Sequence, residues 1–317
     1  MILVTGGLGF IGAHTVRALL DLGESCVVAQ RNVTRRPALF ADEIGKRVHL
    51  EQLDVTDLPA LLELGERYDV TGIVHLAAAH LSGLDPVDEL RVNTAGLLNM
   101  FQAARDWRVR RIGVASTIGV YIGAAGSRWR EDVPLPAPSF HAIPAVKKSA
   151  EILGSYVESS LGVEVVCLRI GAIWGPLGHK GSPFIAITDL VHAALAGAEP
   201  DLSAYGPVYA ENGGDLCYAK DCGRAIATLQ LADDLPHRTY NISSGLNVTN
   251  DEVVAAIAKT LPEAKIDIRE GRNPDGPAEN LCLDITRLRE DTGFSPAYDL
   301  ESAVADYVDW LRSGNEI

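Results

Sequence analysis

A doubly wound parallel α/β sheet followed by a smaller C-terminal α/β lobe is the fold this sequence predicts, on three observations. Apolar runs of strand length alternate with helix-period stretches through the first half of the chain. A glycine-rich turn separates the first strand from the first helix. The length, 317 residues, exceeds what one core usually covers, so a second lobe is expected beside the first.

Taken in order, strands are expected at 2–4, 26–29, 48–53, 72–76, 111–115 and 163–168, with helices at 10–22, 57–66, 86–105 and 145–161. Glycine and proline then crowd residues 175–183 and 205–214, so loops are expected to build much of the second lobe. Helices at 250–260 and 300–311 flank a short strand at 265–268. The division is therefore 1–170 for the first domain and 171–317 for a mainly substrate-binding lobe, with some segments returning to the first domain.

Composition narrows the function. With 47% hydrophobic and 22% charged residues spread evenly, this is an ordinary globular chain. No run approaches the roughly 18 apolar residues of a membrane span, and the chain enters a strand at once, so a cytoplasmic protein without a membrane partner is expected. The five cysteines show no two-residue spacing, which points to buried thiols and no metal site. A net charge of −14 repels nucleic acid and favours a small-molecule partner, with a homodimer left open. Arg31, Arg35 and Arg36 are a local exception, enough to hold one phosphate.

The opening Thr5-Gly6-Gly7-Leu8-Gly9-Phe10-Ile11-Gly12 carries the first chemistry. Gly6 permits a tight turn, Gly9 lets backbone approach a pyrophosphate, and Gly12 lets the helix pack on the strand, with Phe10 and Ile11 in the helix's first turn. Phosphates then sit on the free N–H groups of the helix end, which makes the domain Rossmann-type. About twenty residues on, where an acidic side chain would hold the ribose of NAD, stand Gln30 and Arg31. A cation there favours a 2′-phosphate, so NADP is expected over NAD, with Arg31 and Arg35 as its ligands.

Further segments resemble the extended, NAD-dependent epimerase/dehydratase branch of the short-chain dehydrogenase/reductases, in the family's order over nearly the whole chain. Asp54-Val55 resembles the pair that contacts adenine, His75-Leu76-Ala77-Ala78 the strand end beneath the cofactor, and Asn93 the helix asparagine. Ala115-Ser116-Thr117 with Val120-Tyr121 resembles the catalytic hydroxyl segment and puts Thr117 at the catalytic position. Leu168-Arg169 through Trp174-Gly175-Pro176 resembles the link into the substrate lobe, and Tyr240-Asn241-Ile242 and residues 284–310 the family's C-terminal end. The resemblance implies that Lys147 binds the nicotinamide ribose and lends positive charge to the oxyanion.

The resemblance breaks at the general acid. Where the family has Tyr-x-x-x-Lys, this chain reads Ile143-Pro144-Ala145-Val146-Lys147, and none of its seven lysines has a tyrosine four residues earlier. Isoleucine carries no proton, so the step falls to His141, to Tyr121, to the substrate's own hydroxyl, or to water through Thr117. The family's diphosphate-gripping asparagine and arginine are Ala172 and Gly214 here, while Trp174, Phe184, Tyr205 and Tyr209 suggest an apolar guest.

The expectation is an NADP-dependent oxidoreductase: a ketoreductase for a non-nucleotide, polyketide-like carbonyl or alcohol substrate, with Thr117, Lys147, His141 and Tyr121 as catalytic candidates. A nucleotide-sugar epimerase or dehydratase with another base, and a non-catalytic NADP-binding protein, are the alternatives.

Overall fold

The computed structural model describes all residues except 34, 80–83, 183–184 and 316–317. In chain order its strands are β1 (Ile2–Thr5), β2 (Cys26–Gln30), β3 (Val48–Gln52), β4 (Gly72–His75), β5 (Arg111–Thr117), β6 (Arg128–Trp129), β7 (Glu164–Ile170), β8 (Ala172–Trp174), β9 (Gly213–Tyr218), β10 (Thr239–Ile242), β11 (Asn247–Thr249) and β12 (Cys282–Leu283). Its helices are α1 (Phe10–Asp21), α2 (Leu58–Arg67), α3 (Pro86–Asp106), α4 (Ala142–Leu161), α5 (Ile187–Ala196), α6 (Ala219–Leu231), α7 (Asn250–Thr260), α8 (Thr286–Thr292) and α9 (Leu300–Arg312).

A seven-stranded parallel sheet in the order β10-β7-β5-β4-β1-β2-β3 forms the centre. Helices cover both of its faces, which is why most of β1 and of β2 are continuous apolar runs rather than alternating ones. Successive side chains still go to opposite layers. Val4, Val28 and Val74 pack with Val16 of α1 and Ile226 of α6, whereas Leu3, Val27 and Ile73 pack with Leu61 of α2 and Met100 of α3. Asp57 and Asp85 cap α2 and α3 by accepting from the amides of Ala60 at 3.1 Å and Val87 at 2.9 Å, and Pro86 stands just inside α3, where its missing N–H costs nothing.

β1 pairs with β2 on one side and β4 on the other. The strand order reverses there, leaving a crevice beyond the carboxyl ends of β1 and β4. Both β10 and α6 come from after residue 170 and return to the sheet, α6 packing on α1. Their contact is close: a Cβ at Gly223 would lie 2.5 Å from the His14 carbonyl.

The second lobe holds the three-stranded sheet β11-β9-β8 with α5, α7 and α9. Its core explains two departures from the sequence reading. Trp174, expected beside an apolar guest, is almost fully buried in the lobe's core against Tyr218 and Tyr307, with ring centroids 5.1 and 6.2 Å away. Residues 265–268 form no strand, and only an isolated bridge joins the adjoining Arg269 to Tyr209. Tyr205 donates to the carboxylate of Asp189, and Phe184 lies outside the described residues. All five cysteines are buried thiols. No described helix is long and apolar enough to cross a membrane.

Candidate active site

The glycine turn has its shape because two backbones nearly touch. Gly6 takes φ of +72°, and a Cβ there would come within 3.0 Å of the Ala77 amide. At Gly12 a Cβ would fall 2.2 Å from the Gly6 carbonyl oxygen, so α1 can seat on the turn only with glycine at that position. Gly9 is the N-cap of α1 and offers no side-chain cap, which leaves the first amides of a twelve-residue helix free at its positive end. Phe10 and Ile11 are half-buried behind it.

Beyond this turn lies a cavity of about 400 Å³. The structure brings to it Gly6, Gly9, Arg31, Arg35, Asp54, Val55, Leu76, Ala77, Ala78 and Asn93, all singled out in the sequence. Asp54 is shaped by its neighbour: the Thr56 amide and hydroxyl donate to its carboxylate at 2.9 and 2.7 Å and, with nearby Arg31, hold it below the usual carboxylate range. Asn93 accepts from the Ala79 amide at 3.0 Å and donates to the Glu89 carbonyl at 2.8 Å, which fixes the segment after β4. Gln30, at the end of β2, keeps its Oε1 buried with no protein partner. Arg35 is turned to the glycine turn, where its Nε donates to the Leu8 carbonyl at 2.8 Å and its Nη2 reaches the same oxygen.

Two histidines also belong here: His75, from the strand end singled out in the sequence, and His179, which sequence reasoning passed over. His75 shares a 2.8 Å hydrogen bond with the Thr5 hydroxyl, and burial together with nearby Lys147 pushes its imidazole down to about 3, so it stays neutral. His179 reaches the cavity from the link between the lobes. The only advance signal of His179 was the turn-forming Gly175-Pro176-Leu177-Gly178 before it, a turn now seen tied to α1 through a 2.8 Å bond between His14 Nε2 and the Pro176 carbonyl.

At the carboxyl end of β5, the Thr117 hydroxyl accepts from the Gly119 amide at 3.1 Å. Lys147, in the second turn of α4, lines a small cavity with His75, Ala77, Asn93 and Thr94. Burial lowers its amine to about 8, and it makes no hydrogen bond or ion pair among the described residues. His141 is exposed at the N-cap of α4, where its Nδ1 accepts from the Ile143 amide at 3.2 Å. Tyr121 is a correction to the catalytic candidates. It is fully buried, stacked 5.3 Å from Trp129; its hydroxyl donates to Asn241 at 2.8 Å and accepts from Arg169 at 2.7 Å. That hydroxyl serves the interior and has no path to a substrate.

A family model described as the NAD dependent epimerase/dehydratase family matches residues 2–243. The chain belongs to this family. Curated relatives in the epimerase/dehydratase family include a UDP-glucose 4-epimerase from Lacticaseibacillus casei, 27% identical over 94% of this chain and 92% of its own length. A dTDP-glucose 4,6-dehydratase from Streptomyces griseus is 28% identical over 98% and 94%. Among solved structures, the Thermus thermophilus UDP-glucose 4-epimerase in complex with NAD superposes with a TM-score of 0.76 at 26% identity, covering 98% of each chain. These likenesses overturn the expected ketoreductase for a non-nucleotide substrate. Missing grips at Ala172 and Gly214 had argued for that substrate, and a match to sugar-nucleotide enzymes along nearly the full length outweighs two positions.

Proposed function

We propose that this chain is an NAD-dependent enzyme acting on the sugar ring of a nucleoside-diphosphate sugar, by epimerisation or dehydration that begins with oxidation of a ring alcohol. The observation that carries this reading is the near full-length similarity to UDP-glucose 4-epimerases and a dTDP-glucose 4,6-dehydratase. The cavity supports the dinucleotide part of it independently. Gly12 leaves no room for a side chain beneath the turn, α1 presents free amides for a pyrophosphate, and the unpartnered Gln30 Oε1 can accept from a ribose hydroxyl.

NAD, when bound, supplies the hydride acceptor. The Thr117 hydroxyl is assigned to the reacting alcohol oxygen. Lys147 is assigned to the proton, since a buried amine near 8 is partly neutral at working pH and can accept it, as Ile143 cannot. The neutral His75 beside it adds no second positive charge.

The cofactor reading departs from the sequence expectation of NADP. Related structures hold NAD, Arg35 is engaged with Leu8, and Gln30 needs a donor, which a ribose hydroxyl is and a phosphate is not. In a fluorescence titration NADH should therefore bind at least as tightly as NADPH. Gln30→Ala should weaken NADH by about 2- to 10-fold, as the loss of one hydrogen bond would. A clear preference for NADPH would restore the phosphate reading.

The substrate class is tested by incubating the NAD-loaded protein with UDP-glucose, UDP-glucuronate and dTDP-glucose and following the sugar by NMR. A C4 epimer or a 4-keto product is expected from one of them. Turnover of simple ketones with none of the sugar nucleotides would contradict the proposal.

A further inference from the structure

Thr117 and Lys147 lie on different elements, the end of β5 and the second turn of α4, and something must fix one against the other. Among the described residues, a polar network ties the residues that flank Thr117 to the helix that carries Lys147, without touching either of the two. Glu151 stands one helical turn after Lys147, so it shares that face of α4. Its carboxylate accepts from the hydroxyl of Ser116, the residue immediately before Thr117, and from Arg169 of β7 through Nε at 3.0 Å and Nη2 at 2.7 Å. Arg169 continues through Nη1 to the Tyr121 hydroxyl at 2.7 Å, which closes the short turn that follows Thr117. Both flanks of Thr117 are thus anchored to a single ion pair. The pair is buried, with 6% of the Arg169 side chain and 11% of the Glu151 side chain exposed. Within it the two charges cancel, and the fork of Arg169 on the carboxylate leaves little angular freedom.

We infer that the Glu151–Arg169 pair is a positioning device that sets the Thr117 hydroxyl against the Lys147 amine, with Ser116 as its hold on β5. This rests on the roles given above to Thr117 and Lys147. None of Ser116, Glu151 and Arg169 touches substrate; each acts through its neighbour. The arrangement also gives Ser116 a purpose of its own. A serine beside the active hydroxyl invites the reading of a second substrate ligand, yet it is 4% exposed and its proton is committed to Glu151.

Glu151→Gln leaves the Arg169 guanidinium buried without its counter-charge and risks unfolding, so Ser116→Ala is the working variant. NAD-loaded protein is mixed with UDP-glucose, UDP-glucuronate or dTDP-glucose and the first-turnover rise at 340 nm is recorded. Ser116→Ala should slow it by about 5- to 50-fold, the scale expected for a small misplacement of reacting groups, while KM and the NADH dissociation constant stay within about twofold of wild type, since binding groups are untouched. Ser116→Cys, of similar shape with a weak donor, should fall between the two. In the NAD-free protein, amide exchange across residues 143–151 should quicken in Ser116→Ala while α1 is unchanged. If Thr117→Val slows the reaction and Ser116→Ala does not, this inference fails and the proposed function stands. If Thr117→Val has no effect either, both fall.

Discussion

Replacing Lys147 by methionine should cost the first half-reaction about 10²- to 10⁴-fold, the range associated with losing a general acid or base. Ile143 empties the position four residues before Lys147 of any ionisable group. Lys147 itself is half-buried and lines a cavity with His75 and Asn93, where desolvation brings its amine to about 8. The sign of the pH dependence follows. Below about 8 the group is an ammonium and cannot accept the alcohol proton; above it the amine is free. Wild-type oxidation of the sugar should therefore accelerate as pH rises through that value, and Lys147→Met should lose this rise along with the rate. His141→Ala is expected to stay within about tenfold of wild type, because that exposed ring caps its own helix rather than facing the cavity. A loss of two or more orders of magnitude in His141→Ala, with Lys147→Met near normal, would transfer the proton to the histidine.

The second large effect is expected at Gly12. An added methyl would lie 2.2 Å from the Gly6 carbonyl oxygen and 2.7 Å from the Gly7 Cα. Both are backbone atoms, so neither can swing aside, and α1 must back away from the turn. Gly12→Ala should abolish measurable NADH binding and lower unfolding free energy by about 1–3 kcal/mol, as overpacking does. Gly9→Ala provides the contrast. There the only close neighbour among the described residues is the Gly6 oxygen at 3.1 Å, so urea unfolding should change little while the methyl still obstructs approach to the helix end. Equal effects of the two substitutions on stability would contradict the assigned roles.

What the sequence made legible was local. β1, the glycine turn and α1 are contiguous, and their apolar run and glycine spacing state the geometry outright. What it hid depended on distant partners. Tyr121 follows the proposed hydroxyl segment closely enough to suggest chemistry, but its fate is set by Arg169 and Asn241, the latter 120 residues away. Arg35 reads as a phosphate ligand until its actual acceptor is seen, a backbone carbonyl that has no sequence signature. Trp174 sits in a Gly-Pro-rich stretch like a pocket aromatic, and only the arrival of Tyr218 and Tyr307 makes it core. Residues 265–268 alternate apolar and charged side chains as a strand would, yet among the described residues no sheet edge reaches them. The substrate class was misread for a related reason: absent grips at Ala172 and Gly214 say what does not hold a diphosphate, and nothing about what does.

The central claim is that a ring alcohol of a nucleoside-diphosphate sugar passes its hydrogen to NAD in this crevice. It is tested by mixing the NAD-loaded protein with UDP-glucose, UDP-glucuronate and dTDP-glucose, each with protium or deuterium at C4, and recording absorbance at 340 nm in the first turnover. A rise is expected with at least one of the three, slower when C4 carries deuterium. No rise with any of them, while a simple ketone oxidises the reduced cofactor on the same protein, would contradict it.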